Sequence, residues 1–258
     1  MIAIKSKKEV DMMRRAGDIL ARCFIAVETL ITEGVRTAEI DRFVLEFIRG
    51  NNAIPSFYGV KGIVDGAPDY PANACISINE EVIHGIPGPR RLCGGDIVSI
   101  DIGVYYGGYH SDMARTFMVG QVSETARKLV RVTEESFWQG AKKAVPGLRV
   151  ADISSGVQKH VEANGFSVVR EYVGHGIGSE LHEAPQIPNY SDVRVRRTQR
   201  LSNGMALAIE PMVNAGGYGV TVLPDKWTVV TKDGSLSAHY ENTILVSGEE
   251  PMILSKAS

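Results

Sequence analysis

Cysteine is scarce: Cys23, Cys75 and Cys93 are the only three, and no CxxC spacing occurs. An odd, scattered set excludes a disulfide framework and a thiolate zinc site, leaving packing as the expected role. An excess of one charge is also missing, since 28 Lys and Arg face 30 Asp and Glu for a net charge of -2. Composition therefore carries no signature of a membrane or specific nucleic-acid partner. No apolar run approaches the roughly 20 residues that span a bilayer. Met1 to Lys8 is polar and leads into an amphipathic stretch, so no signal peptide is expected and the expected location is cytoplasmic. Walker A, HExxH and GxSxG patterns are absent, and the glycines around His175 fail the GxGxxG register. What remains is an ordinary globular composition, 44% apolar and 22% charged, in a chain long enough for a substantial core.

Against that background stands a pair of acids on a predicted hairpin, IVSIDIGVYYGGYHSDMARTFM, from Ile97 to Met118. Val98, Ile100, Ile102 and Val104 alternate with Ser99, Asp101 and Gly103, which predicts a strand with Asp101 facing away from the apolar row. Gly107-Gly108 suits a two-residue turn, because glycine accepts the positive φ such turns demand. Tyr106 is then expected opposite Tyr109, and Gly103 opposite Asp112. Asp101 and Asp112 become diagonal neighbours on one face, roughly 7–8 Å apart at Cα, with Gly103 leaving space between them. Two converging carboxylates repel unless a cation or a proton sits between them.

The flanking segments read as helices. Ser6-Lys7-Lys8-Glu9 matches a capping box and opens a helix whose periodicity runs on to Gly34, and Thr37 caps a second that stops at Gly50-Asn51. The arrangement then returns. Ser123 opens a helix through Ala141, Pro146-Gly147 breaks it, and another follows from about Val150 to Asn164. Gly34-Val35-Arg36-Thr37-Ala38-Glu39-Ile40 aligns without gaps to Gly147-Leu148-Arg149-Val150-Ala151-Asp152-Ile153. This predicts an internal duplication: an α+β domain over residues 1–258, with halves of about 1–120 and 121–258 sharing one sheet and a cleft.

The second half supplies acids of its own. Glu210 follows the alternation of Met205, Leu207 and Ile209 with Ala206 and Ala208. Glu241 lies inside a predicted strand, Leu236 to Val246, which Asp233-Gly234 joins as a hairpin to Trp227 to Thr231. Nearby strand lysines and arginines are too few to neutralise Asp101, Asp112, Glu210 and Glu241. Two divalent cations would balance them, so a dinuclear centre is expected.

His84, His175 and His182, the last two set among glycines, complete the pattern. ISINEEVIHGIP, SIDIGVYYGGYHSDMARTF, GHGIGSELHEAPQIPNY, AIEPMV and SAHYENTILV, in this order and spacing, closely resemble the signatures of type I methionine aminopeptidases. The resemblance spans nearly the whole chain. It implies the duplicated pita-bread fold, with pseudo-twofold halves around a central antiparallel sheet and a dinuclear metal site in the cleft. It implies Asp101, Asp112, His175, Glu210 and Glu241 as metal ligands, a hard set that suits cobalt, manganese, iron or zinc. It implies substrate contact and catalysis by His84 and His182, with Glu210 as proton shuttle. It matches Tyr70, Cys75, Trp227 and Phe57 to a methionine pocket, and Asn79, Glu81 and Ser237 to a monovalent cation held by loop carbonyls. Two departures stand out: Val60 to Asp69 is longer than usual, and Leu181 replaces a common aromatic residue.

The expected activity is metal-dependent removal of N-terminal methionine from nascent chains when the second residue is small. One alternative is an Xaa-Pro aminopeptidase or prolidase of the same fold, whose members usually carry a large extra N-terminal domain. Another is a non-catalytic pita-bread binding protein, in which ligands are typically lost. The expected state is a monomer with nascent N-termini as partners. Arg194, Arg196, Arg197 and Arg200 read more readily as a solvated loop than as a ribosome contact.

Overall fold

The computed structural model describes residues 2–62, 66–191 and 198–256. Its first part runs α1 (Lys7–Glu28), α2 (Thr37–Gly50), β1 (Ile54–Pro55), β2 (Cys75–Ile78), β3 (Glu81–Ile83), β4 (Ile97–Tyr106) and β5 (Tyr109–Met118). Next come α3 (Glu124–Ala141), α4 (Val150–Ala163), β6 (Ser167–Val168), β7 (Gly174–Gly176) and β8 (Glu183–Ile187). The last part holds β9 (Ala206–Ile209), β10 (Met212–Asn214), β11 (Val220–Val222), β12 (Val229–Thr231), β13 (Ser237–His239), β14 (Glu241–Leu245) and β15 (Met252–Ile253). Among the described residues no helix is long and apolar enough to cross a membrane.

Ser6 caps α1 as expected: its hydroxyl accepts the Glu9 N–H, and the Glu9 carboxylate accepts the Ser6 N–H at 2.7 Å. The helix stops at Glu28, six residues short of Gly34. There the Leu30 N–H bonds to Val27 O and the Thr29 hydroxyl to Ala26 O, tightening the last turn while the apolar periodicity continues. Met13, Leu20, Phe24 and Val27 form its buried face. Thr37 does not cap α2. It is the first helical residue, its hydroxyl bonds to the Gly88 backbone, and the Glu39 carboxylate accepts the Arg36 N–H instead.

The main sheet has the order β1-β4-β5-β14-β9-β7-β8, with every pairing antiparallel. The β4–β5 register places Tyr106 opposite Tyr109 and Gly103 opposite Asp112, as read from the sequence. Gly107 and Gly108 hold φ of +58° and +93°, angles that match the twist of a tight hairpin.

The two repeated junctions share their hydrogen bonding. Gly34 and Gly147 have φ of +90° and +91°, and their N–H groups bond to Leu92 O and Leu201 O. Leu92 and Leu201 donate back to Val35 O and Leu148 O. Glu39 and Asp152 accept the Arg36 and Arg149 N–H groups at 2.8 and 2.7 Å. Each junction joins the two helices of a pair, and each pair precedes a strand that carries an acid to the seam, Asp101 within β4 and Glu210 just after β9. The repeated units meet where β5 pairs with β14.

The hairpin expected around Asp233-Gly234 does not form. A turn is present, with Gly234 at φ +71°, but β12 pairs with β11 and β3 while β13 pairs with β10. Asp233 instead accepts the Gly217 N–H at 2.7 Å, which docks the turn onto a separate loop. The strand after it also divides at Tyr240, whose N–H turns aside to Pro211 O.

α3 and α4 cross where glycines remove the intervening side chains. A Cβ at Gly156 would stand 2.6 Å from Gln139 O, and one at Gly140 2.6 Å from Val157 Cγ2. Gly156→Ala gains about 1 kcal/mol of helix propensity, but overpacking costs about 1–3 kcal/mol, and a helical backbone oxygen cannot rotate away. The variant is expected to unfold at lower urea concentration than the parent. An unchanged or higher midpoint would mean that the helices part freely.

Candidate active site

Five strands and their ends deliver the acids and His175 to one place. Asp101 sits on β4, Asp112 on β5, Glu241 opens β14, Glu210 follows β9, and His175 lies on β7 opposite Ala208. All five line a cavity of about 640 Å³ that also receives His84 and His182. Asp112, His175 and Glu241 each offer a ligand atom within 4.8 Å of the others. His175 Nε2 is 3.5 Å from Glu210 Oε1. Its Nδ1 lies 2.9 Å from Gly176 O, which can only accept, so Nδ1 carries the proton and the Nε2 lone pair faces the carboxylates.

These groups are short of partners. Asp101 Oδ1 and Glu241 Oε1 are buried with no hydrogen bond. Burial pushes Asp101 and Glu241 well above the usual carboxylate range, and the charges of Asp112 and Glu210 push both further. Burial and then Asp112 do the same to Glu210, while burial raises Asp112 to about 7. Arg115 relieves Glu241 alone, and less than burial and the other acids oppose it. Its guanidinium donates to the carbonyls of Ala114 and Glu241 at 2.7 and 2.6 Å and to Asn242 Oδ1 at 2.8 Å. Burial holds His175 near 3 and His84 near 4, so neither supplies positive charge at neutral pH. Hard oxygens with unused lone pairs, beside one unprotonated imidazole, fit divalent cations.

The two other histidines stand at the rim. His84 follows β3 at φ +59°, a left-handed conformation uncommon outside glycine. Its ring meets Tyr172 and Trp227 edge-on at 5.7 and 6.0 Å. The His182 ring lies 4.4 Å from that of His175.

Phe57, Tyr70, Cys75, Trp227 and Leu181 line the apolar side of the same cavity. Tyr70 and Trp227 pack edge to face at 5.0 Å, and the Tyr70 hydroxyl reaches Gly85 O at 3.0 Å. Trp227 Nε1 donates to Pro68 O at 2.9 Å, so the long Val60–Asp69 segment braces the indole from outside; its residues 63–65 lie outside the described set. Gly103 has a different use from the one expected. A Cβ there would meet Ser56 Cβ at 2.7 Å and Phe57 Cε1 at 2.9 Å, so its bareness admits the pocket wall rather than separating the acids.

Asn79, Glu81 and Ser237 offer no free side chains to a monovalent cation. Asn79 bonds to Asp96 and the Ile97 N–H, Glu81 to the Ile78 N–H and Arg90, and Ser237 to Asn214. The Asn79 carbonyl accepts the Ser237 N–H at 2.8 Å. Arg194, Arg196 and Arg197 lie outside the described residues; Arg200 bridges to Arg149 in the repeated junction. Sequence reasoning missed His239, whose buried Nε2 is 3.7 Å from Glu210 Oε2 and has no hydrogen-bond partner. Its position two residues before Glu241, on the same strand run, was the available signal.

Unpaired buried carboxylates beside an unprotonated imidazole suit metal-dependent chemistry, and the chain belongs to metallopeptidase family M24, matched over residues 11–248. Over 254 residues it is 52% identical to the methionine aminopeptidase of Clostridium perfringens, covering 98% of each chain. The crystal structure of methionine aminopeptidase from Thermotoga maritima matches with a TM-score of 0.94 and 42% identity, covering 99% of this chain and 100% of that one. The prolidase of Pyrococcus furiosus is more distant, at TM-score 0.75 and 25% identity, with 99% of this chain matching 66% of that one.

The raised carboxylates make metal-free stability depend on pH. Unfolded carboxylates are fully ionised near neutral pH, and an unfolded imidazole, about a quarter protonated at pH 7 and nearly neutral at pH 8, opposes their effect only weakly over that interval. Burial and mutual repulsion raise Asp101, Glu210 and Glu241 well above their unfolded values and Asp112 to about 7, so these acids release their protons later in the folded metal-free protein than in the unfolded chain and cost stability as pH rises. Thermal unfolding in chelator should therefore give a lower midpoint at pH 8 than at pH 7. Added manganese or cobalt should raise the midpoint more at pH 8 than at pH 7. Equal midpoints at both pH values in chelator would show that the acids titrate normally.

Proposed function

We propose that this chain removes N-terminal methionine from nascent proteins and peptides whose second residue is small, in a metal-dependent hydrolysis. The observation that carries this reading is a single cavity in which an aromatic and sulfur-lined pocket, Phe57, Tyr70, Cys75 and Trp227, opens directly onto the five carboxylate and imidazole groups. A thioether side chain fits such a wall, where sulfur–aromatic contacts add roughly 0.3–1.5 kcal/mol.

Asp101, Asp112, His175, Glu210 and Glu241 would hold two divalent ions, which when bound acidify water and polarise a carbonyl. Manganese, iron, cobalt and zinc all suit this donor set. Neutral His182 has an N–H to donate to the scissile carbonyl oxygen as negative charge develops there. Neutral His84, beside Trp227, holds the substrate amide and assists departure of its nitrogen. Glu210 takes a proton from the attacking water and passes it to that nitrogen, so the peptide C–N bond breaks to give methionine and a new N-terminus. A bulky second side chain would meet the glycine-lined rim around His175 and displace the carbonyl, and an error of about 1 Å can cost a hundredfold. The further readings are a cytoplasmic monomer that acts on nascent chains, and a monovalent cation on the carbonyls near Asn79, Glu81 and Ser237.

Met-Ala-Ser, Met-Leu-Ser, Leu-Ala-Ser and an Xaa-Pro peptide, each assayed with and without divalent metal, test the proposal. Release is expected from Met-Ala-Ser alone, and only with metal. Comparable kcat/KM across the first three would refute methionine specificity, and preference for Xaa-Pro would move the assignment to a prolidase-like activity. The two histidine roles separate in a second experiment. His84→Ala should lower kcat at least about a hundredfold with metal content kept, whereas His175→Ala should lose metal by elemental analysis. Equal metal loss in both variants would erase the division between catalyst and ligand.

A further inference from the structure

We propose that a buried ion pair between Lys5 and Glu183 is a positioning device that latches the loop carrying His182; this rests on the aminopeptidase reading above. Lys5 Nζ lies 2.5 Å from Glu183 Oε2, with side-chain exposures of 3% and 15%. The two residues are 178 positions apart, and the chemistry described above uses neither.

Their surroundings show what the pair holds. Glu183 directly follows His182 and opens β8, where it pairs with Gly176 of β7. Its second oxygen, Oε1, accepts the Glu180 N–H at 3.4 Å from within the loop. One carboxylate thus ties the loop on one side and the N-terminal arm on the other. The arm is fixed in turn, since the Lys5 N–H bonds to Gly204 O at 2.8 Å and the next residue, Ser6, caps α1. Gly178 has no side chain where the ammonium passes; a Cβ there would collide with Lys5 Nζ and Glu183 Oε1. The Gly178 carbonyl accepts the His110 N–H at 2.8 Å, two residues before Asp112.

Ionic partners in a dry setting carry a desolvation cost that hydrophobic replacements avoid, and losing one partner leaves the other charge buried alone. Packing alone gives no reason for such a pair. Direction does: the ammonium fixes where Glu183 stands, and Glu183 fixes the residue beside it, whose ring must meet both His175 and the substrate carbonyl.

Lys5→Met is the test in the metal-loaded enzyme. Expected is a fall in kcat of about 10- to 100-fold, with KM within about twofold and metal content unchanged. In a His182→Ala background the same substitution should have no further effect on kcat. A purely structural role would instead lower the melting temperature with kcat preserved, and that result overturns the proposal, as does an equal loss in the His182→Ala background. Should Lys5→Met fail to fold, Glu183→Gln gives the same comparison. If the parent protein released no methionine, the activity reading would fail separately. The His182 imidazole ¹⁵N signals would then decide, displaced in the variant if the latch exists and unmoved if it does not.

Discussion

Repulsion among four buried carboxylates at one seam is the constraint that the rest of the structure answers. Asp101, Asp112, Glu210 and Glu241 converge where the repeated units meet, in surroundings that withdraw solvent from all of them. Left alone, such a cluster pushes strands apart or retains protons. The seam is accordingly tied by groups that do not neutralise it. Thr243 accepts the Asp112 N–H and donates to the Asp112 carbonyl, at 2.8 and 2.9 Å, binding β5 to β14 through a hydroxyl. Arg115 clamps carbonyls of both strands while its guanidinium lies 3.9 Å above the Tyr240 ring. These ties fix the backbone and leave the carboxylate oxygens unspent, a condition that suits cations better than a fully paired core would.

The same dryness governs the histidines. Withdrawal from water lowers the proton affinity of His84, His175 and His182 while raising that of the acids. Neutral imidazoles can donate from one nitrogen and accept at the other, which ammonium or guanidinium groups cannot. An ammonium or guanidinium set among the carboxylates in place of these rings would have paired with them and used the lone pairs that a cation needs. The cavity therefore needs its bases to be weak.

Much of this was legible in the chain because it depends on local rules. The β4–β5 register followed from alternation and a Gly-Gly turn, and placed Asp101 and Asp112 before any tertiary contact was known. The repeated Gly-x-Arg junctions announced equal backbone conformations, as the φ angles of Gly34 and Gly147 show. What escaped depended on distant partners. The docking of Asp233 on Gly217, the use of Gly103 by Phe57 and the approach of His239 to Glu210 are set by segments away in sequence. Likewise, composition and spacing mark His84 and His182 only as residues near glycine, and their roles came from resemblance to a family.

The two repeats are alike in their acids and unlike in what stands beside them, and that difference gives the cavity its direction. Ser99 opposes Ser77 across β4 and β2, and the equivalent Ala208 opposes His175 across β9 and β7. Where the second repeat presents an imidazole, the first presents a buried hydroxyl whose oxygen accepts the Gly85 N–H at 3.1 Å. Two residues away, Cys75 lies opposite Asp101 and faces the apolar pocket. A perfectly symmetric pair would crowd both flanks of the acids with imidazole and leave nowhere for an apolar side chain. With the first repeat stripped of its imidazole, Tyr70 and Phe57 close on that flank, and Trp227 crosses over from the second repeat to complete the wall. The acids thus come from what the halves share, and the imidazole and the apolar flank from where they differ.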